Sequence, residues 1–470
     1  MSRLIGVTVL PEYAQSESVD GVLDNLQRAG VTAVATSPYV MELADEQTGN
    51  REPPADAGAG KVRLLDRPLW GHRELWVRTS PSFAPDRSLY RDLRYQPPAP
   101  NELTQREGHI VGDFVLAAKR RGLKVYFQVQ AAIPPGYRVQ FGGPQGDDLP
   151  LLPSGKFPAR RVANNASLAS PEVRAYQRAL TIDLHRAYGD IDGIRFDWPE
   201  YPPYLLDSVF LDFSIHAQRE AEQRGYDFER MRSDTAALYD QLHGGLTDRH
   251  LEAMLDNDGG RQTALQCLVD FPGVSQLLRL KADLSDQLLG EFRATMTEVG
   301  GADWELTPSA FPPPWSFVSG LDFRRVARHC DALSVKLYGM HWAMMLRFYG
   351  DQLLAHNGGL SERLLAQVLV RLLDIADDGG LPAVSDYRYP DPDEPHPAGR
   401  QAQLRKIAYA QRAAGDTPIH VLAHGYGPTD DFRSRLRTAW DASEHGLWLN
   451  RYGYLSDAKL AALAELTGAT

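Results

Sequence analysis

The sequence predicts an α/β fold, a (β/α)8 TIM barrel with long insertions after strands 2, 4 and 6. Three observations carry that prediction. Short apolar strands alternate along the chain with amphipathic helices, the order that builds a parallel sheet. Inside the strands, apolar and polar residues alternate, which separates a helix-facing set from an inward-facing set. Polar members of the inward set gather toward the C-terminal strand ends, where barrels of this kind carry chemistry. A doubly wound sheet is the alternative architecture, because eight strands emerge only once the insertions are set aside.

In chain order the strands fall at 4–10, 32–37, 123–130, 192–197, 304–310, 332–338, 418–424 and 446–450. The helix expected at 19–29 is closed by Gly30, and the helix at 110–121 is stopped by Gly122. Ser170-Pro171 forms an N-cap followed by proline in the first helical turn, opening a helix that runs to Tyr188. A helix over 274–299 feeds the fifth strand. Residues 1–470 read as one elaborated barrel. Its insertions are about 40–105 (largely Pro/Gly/Asp-rich loop), 205–270 (polar and helical) and 340–397 (helical, then Pro/Asp-rich).

The bulk composition excludes several function classes. The formal charge is −11 with no Lys/Arg-rich stripe, so no nucleic-acid partner is expected. Cys267 and Cys330 stand far apart in no metal-ligand spacing, which suits a reducing compartment. Met1-Ser2-Arg3 leads directly into Leu4 without the parts of a secretion signal, and no long apolar run occurs. The expectation is a soluble cytoplasmic protein without membrane contact, and a homo-oligomer is compatible with it. H-x-H, H-E-x-x-H and C-x-x-C are absent, so no metal is expected. The lack of G-x-G-x-x-G, a Walker loop and G-x-S-x-G leaves no cofactor and no serine nucleophile to expect.

Strand alternation selects the candidate site. Tyr126, Gln128 and Gln130 alternate with Val125, Phe127 and Val129, while Arg195 and Asp197 alternate with Ile194 and Phe196. Ser334, Lys336 and Tyr338 alternate with Leu333, Val335 and Leu337, and Trp448 and Asn450 with Leu447 and Leu449. Arg195, Asp197, Lys336 and Tyr338 are thus expected to converge, joined by Gln128, Gln130, His424 and Asn450. A purely structural ion pair of Asp197 with Arg195 or Lys336 is the plainer alternative, but convergence from five separate strands favours a site.

The segment 192–204 holds the chemistry. Glycosidic cleavage takes two carboxyl groups, one protonating the leaving oxygen and one acting as nucleophile or base. Asp197 beside Arg195 and Lys336 is expected to stay ionised. Glu200, flanked by Trp198 and prolines, is expected to be desolvated and protonated, the state an acid needs. Tyr39, Trp198, Trp315, Trp342, Tyr426 and Tyr452 are aromatics near strand ends that suit a sugar face, with loop packing the plainer role for each. His341 and His424 follow the sixth and seventh strands as structural groups or donors to a sugar hydroxyl. Glu12, Asp322 and Asp386 read as solvated loop carboxylates.

Pro171-Glu172-Val173-Arg174-Ala175-Tyr176, then Tyr188, then Asp192-Gly193-Ile194-Arg195-Phe196-Asp197 resembles the central motif of uncharacterised glycosyl-hydrolase-like barrel families. The match includes 117–126 and covers about the first 205 residues. Gly193-Ile194-Arg195-Phe196-Asp197 is also similar to the G-x-R-x-D of α-amylase-type enzymes, whose Asp is the nucleophile. The Lys-His that follows there is missing, and Glu305 falls early for a fifth-strand acid. Asp192-Gly193, Asp197-Trp198 and Glu200-Tyr201-Pro202 resemble the D-G-x-D-x-D-W-E-Y-P of chitinase-type enzymes, whose Glu is the acid. Here Arg195 replaces the middle Asp and Pro199 adds a residue.

The resemblance implies a glycosidase that cleaves O-glycosyl bonds of a carbohydrate or glycoside substrate, with Asp197 and Glu200 catalytic. Arg195, Lys336, Tyr338, Trp198, Gln128, Gln130, Tyr39, His341, His424, Tyr426 and Asn450 are the expected substrate contacts. Two alternatives stay open: a barrel that binds sugar without turnover, and an isomerase or lyase using Lys336 with Tyr338.

Overall fold

A computed structural model describes residues 3–54, 63–138, 142–256 and 258–469. Part of the first insertion, 55–62, lies outside the described residues. Eight parallel strands form the central sheet: β1 (Leu4–Thr8), β2 (Ala33–Thr36), β3 (Lys124–Gln130), β4 (Gly193–Asp197), β5, β6 (Leu333–Leu337), β7 (Ile419–His424) and β8 (Gly446–Asn450). Strand β5 comes in two pieces, Glu305–Leu306 and Ser309–Ala310, because Pro308 between them has no N–H to give the ladder. Pairing of β1 with both β2 and β8, and of β3 with β4, closes the ring into a barrel.

Strand β1 ends before Leu10, since Pro11 starts the helix Pro11–Glu17. Ser170 caps the helix Pro171–Ala187 as its sequence implied, accepting from the Val173 N–H. The first insertion differs from expectation. Instead of loop alone it holds a three-stranded antiparallel sheet of Tyr39–Ala44, Asn50–Glu52 and Leu75–Pro81. The reason is local: Leu75 and Val77 alternate with less buried Trp76 and Arg78, a half-buried strand pattern inside a Pro- and Gly-rich stretch. After β4 come five helices between Leu206 and Asp270, and after β6 the helices Gly339–His356 and Glu362–Leu373 precede the Pro/Asp-rich segment. Among the described residues no helix is long and apolar enough to cross a membrane.

Register fixes which side chains share the interior. Gln128 pairs with Arg195 and Gln130 with Asp197; Ser334 pairs with His420 and Leu422 with Trp448; His424 pairs with Asn450, and Asn450 with Thr8. The outward positions are apolar and pack beneath helices, as where Phe196 stacks on Phe292 with centroids 3.9 Å apart and Phe127 meets Tyr188 at 4.8 Å. Burying each such side chain is worth about 1.5–3 kcal/mol.

Aliphatic layers usually fill such a barrel. This one is plugged by Trp448 and Arg195, both fully buried, with the guanidinium 3.7 Å from the indole centroid. The indole lies directly against the backbone of Gly6, where an added Cβ would sit 2.3 Å from Trp448 Cδ2. Gly6→Ala is therefore expected to cost about 1–3 kcal/mol by overpacking. Gly112→Ala in the helix His109–Arg120 meets nothing within 4 Å, and it should stabilise by about 0.5–1 kcal/mol. Urea unfolding of the two variants checks the contrast.

Candidate active site

A cavity of about 300 Å³ opens at the C-terminal end of the barrel, within the size range of small-molecule sites. Asp197, Lys336, Tyr338, Gln128, Gln130, Trp198, His341, His424 and Asn450 all line it. The strands deliver Gln128, Gln130, Asp197, Lys336, His424 and Asn450 by the same alternation that turns Arg195 and Ser334 inward one layer below. Trp198 and Tyr338 directly follow their strands, and His341 lies in the helix Gly339–His356.

Asp197 and Lys336 form the charged centre, with Nζ 2.5 Å from Oδ1. The ion pair is close but its direction falls outside hydrogen-bond geometry. Lys336 is nearly buried, and its ammonium lies 5.1 Å from the ring of Trp198 and 5.1 Å from that of Phe311. Two aromatic faces and one carboxylate thus fix the cation. Trp198 sits at φ 55°, in the left-handed region that side chains other than glycine rarely enter. That turn, directly after β4, brings its ring to 6.0 Å from Tyr204.

Around this centre stand polar groups. Thr8 donates to Gln128 Oε1 at 3.3 Å and Ser37 donates to the Gln128 carbonyl at 2.9 Å. Tyr338 meets the His341 and His424 rings edge-on at 5.3 and 5.1 Å. Burial holds the Tyr338 hydroxyl well above its usual pKa. Burial and the Arg63 guanidinium, 2.9 Å from His424 Nε2, push the His424 imidazole well below its ordinary value and keep it neutral.

Several residues land elsewhere than the sequence implied. Arg195 does not flank Asp197 as an ion-pair partner; it lies beneath it against Trp448, and none of its nitrogens has a hydrogen-bond partner among the described residues. Burial lowers its pKa to about 10. Glu200 is fully buried outside the cavity wall, accepting from the Phe311 N–H at 2.8 Å and from the Ser319 hydroxyl. Burial raises its pKa to about 7, against the pull of Lys336 and the hydrogen bond from Ser319. Tyr39 sits behind the cavity and donates to Glu12 Oε2 at 3.1 Å. Tyr426 packs behind His424 and donates to the Pro390 carbonyl at 3.1 Å.

One wall was not read from the sequence. Arg138 and Arg451 line the cavity and share the buried carboxylate of Glu52, and Arg138 also reaches Glu12 at 3.4 Å. Burial drives Glu12 upward despite Arg138; for Glu52 burial acts the same way, but Arg138 and Arg451 outweigh it and hold the group low. Glu12 is therefore a buried member of this network and not a solvated loop carboxylate. Arg451 directly follows the strand-end residue Asn450, which was a usable signal. Pairing among positions 12, 52, 138 and 451 had none.

No family model matches the chain, and no curated protein matches it. Solved structures do, at the level of the fold. One is the β-galactosidase of Marinomonas ef1, 13% identical with TM-score 0.48, covering 99% of this chain and 60% of that one. Another is the catalytic domain of β-amylase from Paenibacillus polymyxa, 12% identical with TM-score 0.47, covering 99% and 97%. A third is the group IV chitinase of Ostrinia furnacalis, 10% identical with TM-score 0.44, covering 99% and 100%. This chain spans less than two thirds of the galactosidase.

Glu200 makes a pH prediction. Its folded-state pKa of about 7 exceeds the ordinary 4.5, so between those values the folded protein keeps a proton that the unfolded chain releases. Stability from this group falls as pH rises through that window. The stability of the wild type relative to Glu200→Gln should drop by about 3 kcal/mol between pH 4.5 and 7. Chemical denaturation of both proteins across that range checks it; parallel profiles contradict it.

Proposed function

We propose that the chain is a glycoside hydrolase acting on a carbohydrate in the cavity above β4 and β6, with Asp197 as its charged catalytic carboxylate. The observation that carries this reading is the Asp197–Lys336 pair at the strand ends, in a cavity walled by aromatic and hydrogen-bonding side chains. Glycosidic cleavage develops positive charge on the sugar ring, and a carboxylate held beside that ring stabilises it. Trp198, Tyr137 and Tyr204 offer ring faces to a pyranose. Gln128, Gln130, Asn450 and Ser37 supply donors and acceptors for its hydroxyls. The G-x-R-x-D resemblance, whose Asp is the nucleophile in α-amylase-type enzymes, supports the same residue.

The leaving oxygen also needs a proton. Glu200 has the raised pKa of such an acid, but both its oxygens are turned to Phe311 and Ser319. In this reading Glu200 is a positioning residue that holds Phe311 against Lys336, and His341, which lines the cavity, delivers the proton. A Schiff-base role for Lys336 would need a neutral amine, which would leave Asp197 without its counter-ion.

A second reading, sugar binding without turnover, is favoured by one observation: Asp197 is the only carboxylate lining the cavity among the described residues. A panel of aryl glycosides and oligosaccharides, assayed for turnover and for binding, separates the two. Hydrolysis by the wild type should fall by about 10²–10⁴-fold in Asp197→Asn and in His341→Ala, with binding retained. Binding without turnover supports the second reading, and neither binding nor turnover overturns both.

A further inference from the structure

Away from the cavity, side chains from separate parts of the chain meet around Asp148. Asp147 and Asp148 belong to the short helical turn Gly146–Asp148, and His216 to the first turn of the helix Ile215–Gln223. Asp148 is fully buried, His216 is 5% exposed and Asp147 faces solvent. The ligand-type atoms of the three lie within 4.8 Å of one another.

Their orientation is the telling feature. Arg94 Nη1 engages Asp147 Oδ1 at 2.5 Å and Asp148 Oδ2 at 2.6 Å, and Tyr95 donates to the same Asp148 oxygen at 2.6 Å. That leaves Asp147 Oδ2 and Asp148 Oδ1 facing His216 Nε2, at 3.7 and 3.3 Å. The Ser170 hydroxyl also donates to Asp148 Oδ1, which keeps a second lone pair for another partner. His216 Nε2 is buried and has no hydrogen-bond partner, although it points between two carboxylate oxygens. A histidine bonded to one carboxylate would align with one oxygen. The two oxygens instead stand 3.3 and 3.7 Å from the nitrogen, close to the roughly 3.3–3.6 Å that separates ligands 2.0–2.2 Å from a tetrahedral zinc.

We propose that Asp147 Oδ2, Asp148 Oδ1 and His216 Nε2 bind one divalent transition-metal ion, Zn²⁺ foremost, with water as fourth ligand on the exposed side of Asp147. One imidazole and two carboxylates suit zinc by donor type. Arg94, Tyr95 and Ser170 are the outer hydrogen bonds that orient the carboxylates. The ion has a structural role here. It joins the turn at 146–148 to the helix Ile215–Gln223, and the segment in between supplies the cavity-lining Val162 and donates from Leu168 N–H to Tyr201 at 3.0 Å.

Titration of Zn²⁺ into chelator-stripped full-length protein, by calorimetry and thermal shift, tests this. One ion per chain and a raised melting temperature are expected, and Co²⁺ in its place should show the visible absorption of a tetrahedral site. His216→Ala and Asp147→Asn should each weaken binding by about tenfold or more. His109→Ala, at an exposed pair with Asp113, should leave it unchanged. Asp147 is exposed, so Asp147→Asn decides the matter if His216→Ala fails to fold. No saturable binding to the wild type, or undiminished affinity in Asp147→Asn, overturns the proposal.

Discussion

The two-residue period of the barrel strands governs the rest of the molecule, because it sends one chemical class of side chain to each face of a closed sheet. Outward positions such as Val125, Ile194, Val335 and Leu447 are buried beneath helices and supply the apolar core. Inward positions are polar at nearly every level, from Lys124 and Glu305, joined at 2.5 Å, up to Asp197 and Lys336. A polar interior must still be filled. Trp448 and Arg195 fill it by stacking, a contact in which the ring face attracts the cation. Gly6 makes room for the indole, so a residue without a side chain in β1 is tied to the bulkiest one in β8.

Above that plug the insertions shape a cavity the barrel alone would not have. Glu52, from the small antiparallel sheet after β2, binds Arg138 from the loop after β3 and Arg451 from the end of β8. Withdrawing such charges from water is expensive unless each has partners, and here the partners come from different segments. The network therefore fixes the relative placement of three loops around the rim. Glu200 does comparable work on the opposite side, holding Phe311 and Ser319 so that Phe311 closes over Lys336.

The barrel was legible because strand alternation and helix signals are local. Ser170-Pro171 capped its helix where expected, and the inward sets of β3, β4, β6 and β8 face the interior. Much of the cavity lining followed from those sets. What was not legible depends on depth and distance. Arg195 and Asp197 share a face, but one level of the barrel separates a buried stacking partner from a cavity group. Glu200 follows Asp197 closely, yet the left-handed turn at Trp198 and the packing of Phe311 carry it behind the wall. Glu12 looked like a loop carboxylate and Glu52 drew no reading at all, since their arginines lie far along the chain. Residues 75–81 show the opposite error, a strand hidden in a Pro- and Gly-rich neighbourhood.

The central claim is that the cavity around Asp197 and Lys336 receives a sugar ring. A crystal structure of the protein soaked with an oligosaccharide tests it most directly. The expected result is a ring in contact with Trp198 or Tyr204, with its anomeric carbon beside the Asp197 carboxylate. A saccharide bound elsewhere, with the Asp197–Lys336 cavity left to solvent at saturating ligand, would contradict it.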